Sequence, residues 1–331
     1  MHLADRFDLP AGYRARPYAG ASDHPAMATL LTSYRLARGD PEMIVAEQFD
    51  LSYAHLTDCD PTLDIAMIEH DEALVAYCRP TFARRDEADD LRVFAPTSPE
   101  HLDADLFHSL AAAQEAHLLK WRVEGQPTQY ECDAEHPGPG MIPSDGEAAW
   151  LEARGYAATH WGASLRRPHL DDVPELALPD GIELRPVTPD QVREIVVAHC
   201  ECFRGEWDFS EPDETDYAHI IDDPYRDETL WQVAWDGDTV VGQVKPFINH
   251  DENRERGYLR GYAEYISTHR EYRNRGIAGA LLAKALVALR ERGMTEAVLG
   301  VDTNNPGGAF HLYTKLGFEL TSYGAFYTRP L

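Results

Sequence analysis

Arg273-Asn274-Arg275-Gly276-Ile277-Ala278-Gly279 is the stretch of this chain with the clearest capacity for chemistry. Behind it, Ala278, Leu281, Leu282, Ala285, Leu286 and Leu289 repeat at the i, i+3, i+4, i+7 spacing of one helix face. Gly293 suits the end of that helix. Backbone N–H groups at a helix start lack partners and point beyond the terminus, where they suit an anion. Gly276 lets a ligand approach the backbone closely, and Arg273 and Arg275 add positive charge. The ligand that fits is a pyrophosphate. The same residues also read as an ordinary glycine-containing helix start with surface arginines. Neither GxxxxGK[ST] nor GxGxxG is present, so this is not a P-loop or a dinucleotide-binding turn.

The elements that position this loop are legible on both sides. Tyr262 to Thr268 is rich in β-formers and reads as a strand, His269 to Arg275 as a loop, and Ala297 to Val301 as the next strand. At 331 residues the chain has room for two domains. Thirty basic against 57 acidic residues leave a net charge of −27, which disfavours nucleic-acid and anionic-membrane partners. Four of the basic residues are lysines: Lys120, Lys245, Lys284 and Lys315. No apolar run approaches the ~18 residues of a membrane span, and no secretory leader is visible, so a cytoplasmic protein is expected. The five cysteines (59, 78, 132, 200 and 202) contain no CxxC pair, so reduced thiols are expected, with neither a disulfide framework nor a metal site.

The two halves echo each other. Leu9-Pro10-Ala11-Gly12 through Arg16-Pro17 matches Leu178-Pro179-Asp180-Gly181 through Arg185-Pro186. Hairpin patterns follow in each half, Ile65 to Tyr77 and Trp231 to Gly242, the second turning on Asp236-Gly237. Trp150-Leu151-Glu152-Ala153-Arg154-Gly155-Tyr156 then aligns with Leu312 to Phe318, ungapped as far as Arg167-Pro168 and Arg329-Pro330. Three matches in one order indicate duplication. The division expected is residues 1–170 and 178–331, with His169 to Asp180 as linker.

Arg273-Asn274-Arg275-Gly276-Ile277-Ala278 resembles the [QR]-x-x-G-x-[GA] signature of the GNAT superfamily of acyl-CoA-dependent N-acetyltransferases. Asn305, followed by Leu312-Tyr313-Thr314-Lys315-Leu316-Gly317-Phe318, is similar to that family's N-x(6–7)-LY-x-x-x-GF segment. The resemblance covers residues 181–331 and, through the repeat, the whole chain. It implies a mixed α/β fold: two tandem GNAT modules, each a mostly antiparallel sheet flanked by helices. It further implies acetyl-CoA in a cleft between two splayed strands, with no metal. The pyrophosphate would sit on amides around Arg275 to Ala280, and Arg273, Asn274, Arg275, Gly276, Ile277, Ala278, Gly279 and Ala280 would be cofactor-binding. The pantetheine arm would pair near Ile266, Ser267 and Thr268, with Asn305 close to the cofactor. Tyr313 would protonate the departing thiolate. Glu264 is the candidate base, acting directly or through a water, and is equally open to being a solvated carboxylate or a substrate anchor. Many relatives place a glutamate on the next strand, where this chain has Gly300.

In the first half, Glu100 to Leu106 stands where the second has Arg273 to Gly279, without glycine and with two aspartates, and Leu151 stands in place of Tyr313. That half reads as a degenerate, structural module. On the acceptor side, Trp207, Asp208, Phe209 and Glu211 interleave aromatics and carboxylates, which suits a cationic amine. The expected activity is acetyl transfer to a small amine in a ternary complex. A non-catalytic acyl-CoA sensor, transfer of a longer acyl group, and a protein N-terminus as acceptor are the alternatives. Whether the chain is a monomer or a homodimer is left open, since its own halves could form a pseudo-dimer.

Overall fold

The computed structural model describes residues 1–40, 42–54, 56, 59–84, 88–206, 209, 211–303 and 308–331, side chains 215 and 219 excepted. The chain forms two compact units. Unit 1 is Met1–Trp161 with Ser322–Leu331, and unit 2 is Gly162–Thr321.

In chain order the elements run β1 (Tyr13–Pro17), α1 (His24–Ala37), α2 (Ala46–Tyr53), α3 (Pro61–Asp64), β2 (Ala66–His70), β3 (Ala73–Cys78), β4 (Thr81–Ala83), β5 (Asp89–Arg92), α4 (Ala104–Leu118), β6 (Thr128–His136), α5 (Gly146–Ala153) and β7 (Ala157–Arg167). They continue with β8 (Glu183–Leu184), α6 (Val192–Glu201), α7 (Glu214–Ile221), β9 (Gln232–Asp236), β10 (Thr239–Phe247), α8 (His250–Arg256), β11 (Arg260–Thr268), α9 (Ile277–Glu291), β12 (Glu296–Asp302), α10 (Ala309–Lys315) and β13 (Glu319–Pro330). Both expected hairpins are present, β2–β3 and β9–β10.

Within unit 1, β1-β2-β3 form one sheet and β4-β5-β6-β13 a second strand array. Within unit 2 the order is β7-β12-β11-β10-β9-β8. Among the described residues, the ladders within each unit are antiparallel apart from the parallel pairs β5–β6 and β11–β12. The fold class is therefore the mixed, mostly antiparallel one expected.

The compact units are not the linear blocks 1–170 and 178–331. The last strand of each repeat belongs in part to the unit containing the rest of the other repeat. Residues 162–167 of β7 pair with β12 in unit 2. Residues 323–330 of β13 pair with β6 in unit 1. Ala325 and Tyr327 are accordingly buried in unit 1 with Leu91, Tyr130 and Leu151. An arginine in the last two residues of each strand caps a helix: Arg167 donates to the Leu316 carbonyl after α10, and Arg329 donates to the Arg154 carbonyl after α5 at 2.9 Å. Gly317 makes the first of these possible, because a Cβ there would collide with the Arg167 guanidinium. Burying the unpaired carbonyls of a helix end is costly unless a donor reaches them.

Unit 2 puts helices on both sides of its strands. Gly242 and Gly261 face α9, where an added Cβ would meet Ile277 and Leu289. Ser267 and Gln243 face α6, through His199 and the Ile195 carbonyl.

Candidate active site

The strand, loop and helix read from the sequence are β11, residues 269–276 and α9. Gly276 is the residue before the helix, with φ 83°, and no side chain caps it. An added Cβ would meet nothing within 4 Å, so the space where a side chain of Gly276 would lie is open. The Ala280 N–H is already bonded to the Gly276 carbonyl. That leaves the amides of Ile277, Ala278 and Gly279 to face outward from the first turn. Gly279 is buried and packs toward Leu312 and Leu176, where a side chain would crowd α10.

The two arginines of the loop differ. Arg273 is held by the protein itself: it donates to the Cys202 carbonyl at 2.7 Å and pairs with Glu206 at 3.2 Å. It ties the loop to the end of α6. Arg275 is exposed and lies over the Tyr272 ring, 5.0 Å from its centroid. Asn274 sits in the left-handed region at φ 62°, which asparagine tolerates better than most residues.

Strand β11 carries a bulge. Gln243 pairs with Ser267, but Lys245 pairs with Glu264, so β11 has two residues, Tyr265 and Ile266, opposite Val244 alone. Tyr265 takes φ 53° to accommodate this. On its other side β11 pairs with β12 over three positions, Arg260–Glu296 to Tyr262–Val298. Farther along, the Gly300 N–H is taken by Glu264 Oε1 at 2.9 Å. A side chain occupies the position of a ladder bond, and the two parallel strands part there.

Tyr313 projects from α10 and is buried, its ring 6.2 Å from that of Phe318. Burial pushes its phenol above the ordinary range, and the Glu264 charge adds to the shift. Tyr313 therefore holds its proton firmly near the carboxylate at the strand gap.

Ser267 is buried, and its hydroxyl lies 3.1 Å from His199 Nδ1. Burial, then the charge of Lys245, keeps His199 neutral. On the acceptor side, Glu211 is paired with Arg204, whose guanidinium also lies 5.1 Å from the Phe209 ring centroid. Trp207, Asp208 and Asn305 lie outside the described residues. Among the described residues no group of three His, Cys, Asp or Glu side chains could hold a metal, and no helix is long and apolar enough to cross a membrane.

Residues 192–318 match the Acetyltransferase (GNAT) family. This segment is a GNAT module. The chain is also 28% identical over 190 residues to a mycothiol acetyltransferase of Thermobispora bispora, covering 55% of this chain and 62% of that protein, so it spans less than two thirds of that relative's length. A GCN5-related N-acetyltransferase from Sphaerobacter thermophilus superposes with a TM-score of 0.68 at 21% identity, covering 97% of this chain and 96% of that one. A tandem GNAT protein from the clavulanic acid biosynthesis pathway superposes with a TM-score of 0.63 at 17% identity, covering 96% and 98%. The fold is thus that of a tandem GNAT protein.

The N-terminal counterpart of the GNAT loop is built differently. The Asp103 carboxylate precedes α4 and accepts the Leu106 N–H at 2.9 Å. An acidic cap thus uses an amide of the first turn, whereas α9 has no side-chain cap. Leu151, the counterpart of Tyr313, is a core residue at 1% exposure. The feature of the GNAT module that sequence reading missed is Lys245, buried on the α6 face of β10. A lysine in the apolar run Val240 to Phe247, at the same strand parity as Gln243, was the available signal.

Proposed function

We propose that this chain is an acetyl-CoA-dependent N-acetyltransferase, with its chemistry in unit 2 and a small amine as acceptor. The observation that carries the reading is the parting of β11 and β12 beside the uncapped start of α9. The open amides of Ile277, Ala278 and Gly279, together with Arg275, suit a pyrophosphate, and the space where a side chain of Gly276 would lie is open to it. The backbone of Ile266 to Thr268, beyond the bulge, would hold the pantetheine arm.

In this reading the acceptor amine attacks the thioester carbonyl carbon directly. The C–S bond breaks as the C–N bond forms. Glu264 takes the amine proton, directly or through a water, and Tyr313 gives its phenolic proton to the sulfur. The raised pKa of Tyr313 keeps the donor protonated at the start of each turnover. The similarity to a protein named mycothiol acetyltransferase supports acetyl transfer. Unit 1 acts as a structural module, since Asp103 places a carboxylate where phosphates would otherwise be received.

Calorimetric titration with acetyl-CoA tests this. One site per chain, lost in Gly276→Glu, followed by thiol release with an amine panel, is the expected result. Absence of binding overturns the enzyme reading, and two sites overturn the assignment of unit 1.

A further inference from the structure

Lys245 lies within β10 at 1% exposure, and among the described residues its Nζ has no hydrogen-bond partner. Ring faces surround it: the Trp231 centroid is 5.6 Å away and that of Tyr265 5.0 Å. Two residues back on the same face, Gln243 is fully buried. Its Nε2 donates to the Ile195 carbonyl at 3.0 Å, while its Oε1 has no partner among the described residues. A strand places residues i and i+2 on one face. One buried donor and one buried acceptor therefore share a strand face without hydrogen-bond partners among the described residues. Each such group costs free energy unless something pairs with it.

Their position ties them to the candidate active site. Lys245 is the ladder partner of Glu264, at the bulge. The face is the one covered by α6, against which Gln243 and Ser267 also pack. Glu264 stands opposite Lys245 in the ladder, with its Oε1 engaged by the Gly300 N–H, and the Tyr265 ring lies by the ammonium; the other titratable groups whose charge couples to Lys245 are His199, Cys200 and Cys202. Burial keeps His199 neutral and both thiols protonated, so none of them is a counter-ion at neutral pH. Tyr265, whose ring lies 5.0 Å from the ammonium, is half-buried and is the nearer to solvent of the two rings.

We propose that Lys245 binds a carboxylate carried by the acceptor, so that the acceptor is an α-amino acid or a similar zwitterion. The proposal rests on the N-acetyltransferase reading and narrows its substrate class. A carboxylate offers lone pairs to Nζ, and an N–H of the same molecule would satisfy Gln243 Oε1. A bare amine has nothing for Nζ. A protein N-terminus has its α-carboxyl tied up in a peptide bond.

With four lysines in the chain, the full-length protein labelled with ¹³C at the lysine ε-carbons gives few signals, and Lys245→Met identifies the one that matters. The probes are acetate, the protein amino acids, and the decarboxylated counterparts methylamine and ethylamine. The expected result is that a carboxylate moves the Lys245 signal saturably and raises its titration midpoint, whereas the matched amines do not. In turnover, amino acids should exceed their decarboxylated counterparts in kcat/KM by roughly tenfold to a hundredfold, the worth of one charged hydrogen bond. That preference should vanish in Lys245→Met and persist in Lys245→Arg. A Lys245 signal that no carboxylate moves, or that amines move equally, overturns the proposal. Failure of the enzyme reading shows separately, as absent acetyl-CoA binding.

Discussion

Glu264 Oε1 accepts the Gly300 N–H at 2.9 Å where β11 and β12 part. The carboxylate props the gap open and at the same time stands at the place where an amine must lose a proton. Substitution separates the two roles. Glu264→Gln keeps an oxygen that can accept from Gly300 but has no basicity, so kcat should fall by ~10²-fold or more while acetyl-CoA affinity is retained. Glu264→Ala loses the prop as well and should weaken acetyl-CoA binding too. Thiol-release kinetics and calorimetry read the two effects. Unchanged turnover in Glu264→Gln would remove Glu264 from proton transfer.

Tyr313→Phe deletes one buried hydroxyl and leaves the ring packed against Phe318. Stability and acetyl-CoA affinity should barely change, and kcat should fall by ~10²-fold or more, the usual worth of a general acid. A variant that turns over at the parental rate would make Tyr313 a packing residue only.

Much of this arrangement was readable before the structure. The period of α9 and the β-rich run before it fixed the strand, loop and helix around Gly276, because hydrophobic spacing is a local property. The repeat gave both hairpins and the two helix–glycine–strand endings at Gly155 and Gly317. What escaped was non-local. The membership of residues 322–331 in unit 1 depends on a pairing with β6 that no local pattern encodes. The partners that hold Arg273, Cys202 and Glu206, lie about seventy residues earlier and are named by no local pattern. The pairing of Glu211 with Arg204 is likewise a contact that an acidic run alone does not reveal.

Gly276 has two separable requirements, its left-handed φ of 83° and the open space where a side chain would lie. Gly276→Ala imposes the strain alone and should cost about 1 kcal/mol of stability with measurable acetyl-CoA binding. Gly276→Glu adds a carboxylate at the helix start, where it opposes a phosphate, and should abolish binding. Chemical denaturation and calorimetry on both variants separate the effects. Equal acetyl-CoA affinity in Gly276→Glu would remove this loop from the binding site.

Asp103 predicts the opposite pattern in unit 1. Asp103→Ala removes the cap on Leu106 N–H and should cost about 1 kcal/mol of stability. Acetyl-CoA stoichiometry should stay at one per chain. A second site appearing in this variant would show that a lone carboxylate closes an otherwise competent phosphate site.

Lys245 should make stability depend on pH. Burial lowers its pKa from the ordinary 10.5 to about 7. Below pH 7 the side chain is protonated whether the chain is folded or unfolded, and the folded state bears the full cost of a desolvated charge. Between pH 7 and 10.5 the unfolded chain still binds a proton that the folded chain has released, so this contribution to stability rises with pH. Lys245→Met removes the charge and keeps a stem of similar bulk. It should therefore raise stability most at pH 6, on the order of a few kcal/mol, and progressively less toward pH 10. Urea denaturation of both proteins at pH 6, 8 and 9.5 measures the difference. A gap that does not change with pH would mean that Lys245 is not a buried titrating group, and the carboxylate it is proposed to receive would lose its physical reason for binding there.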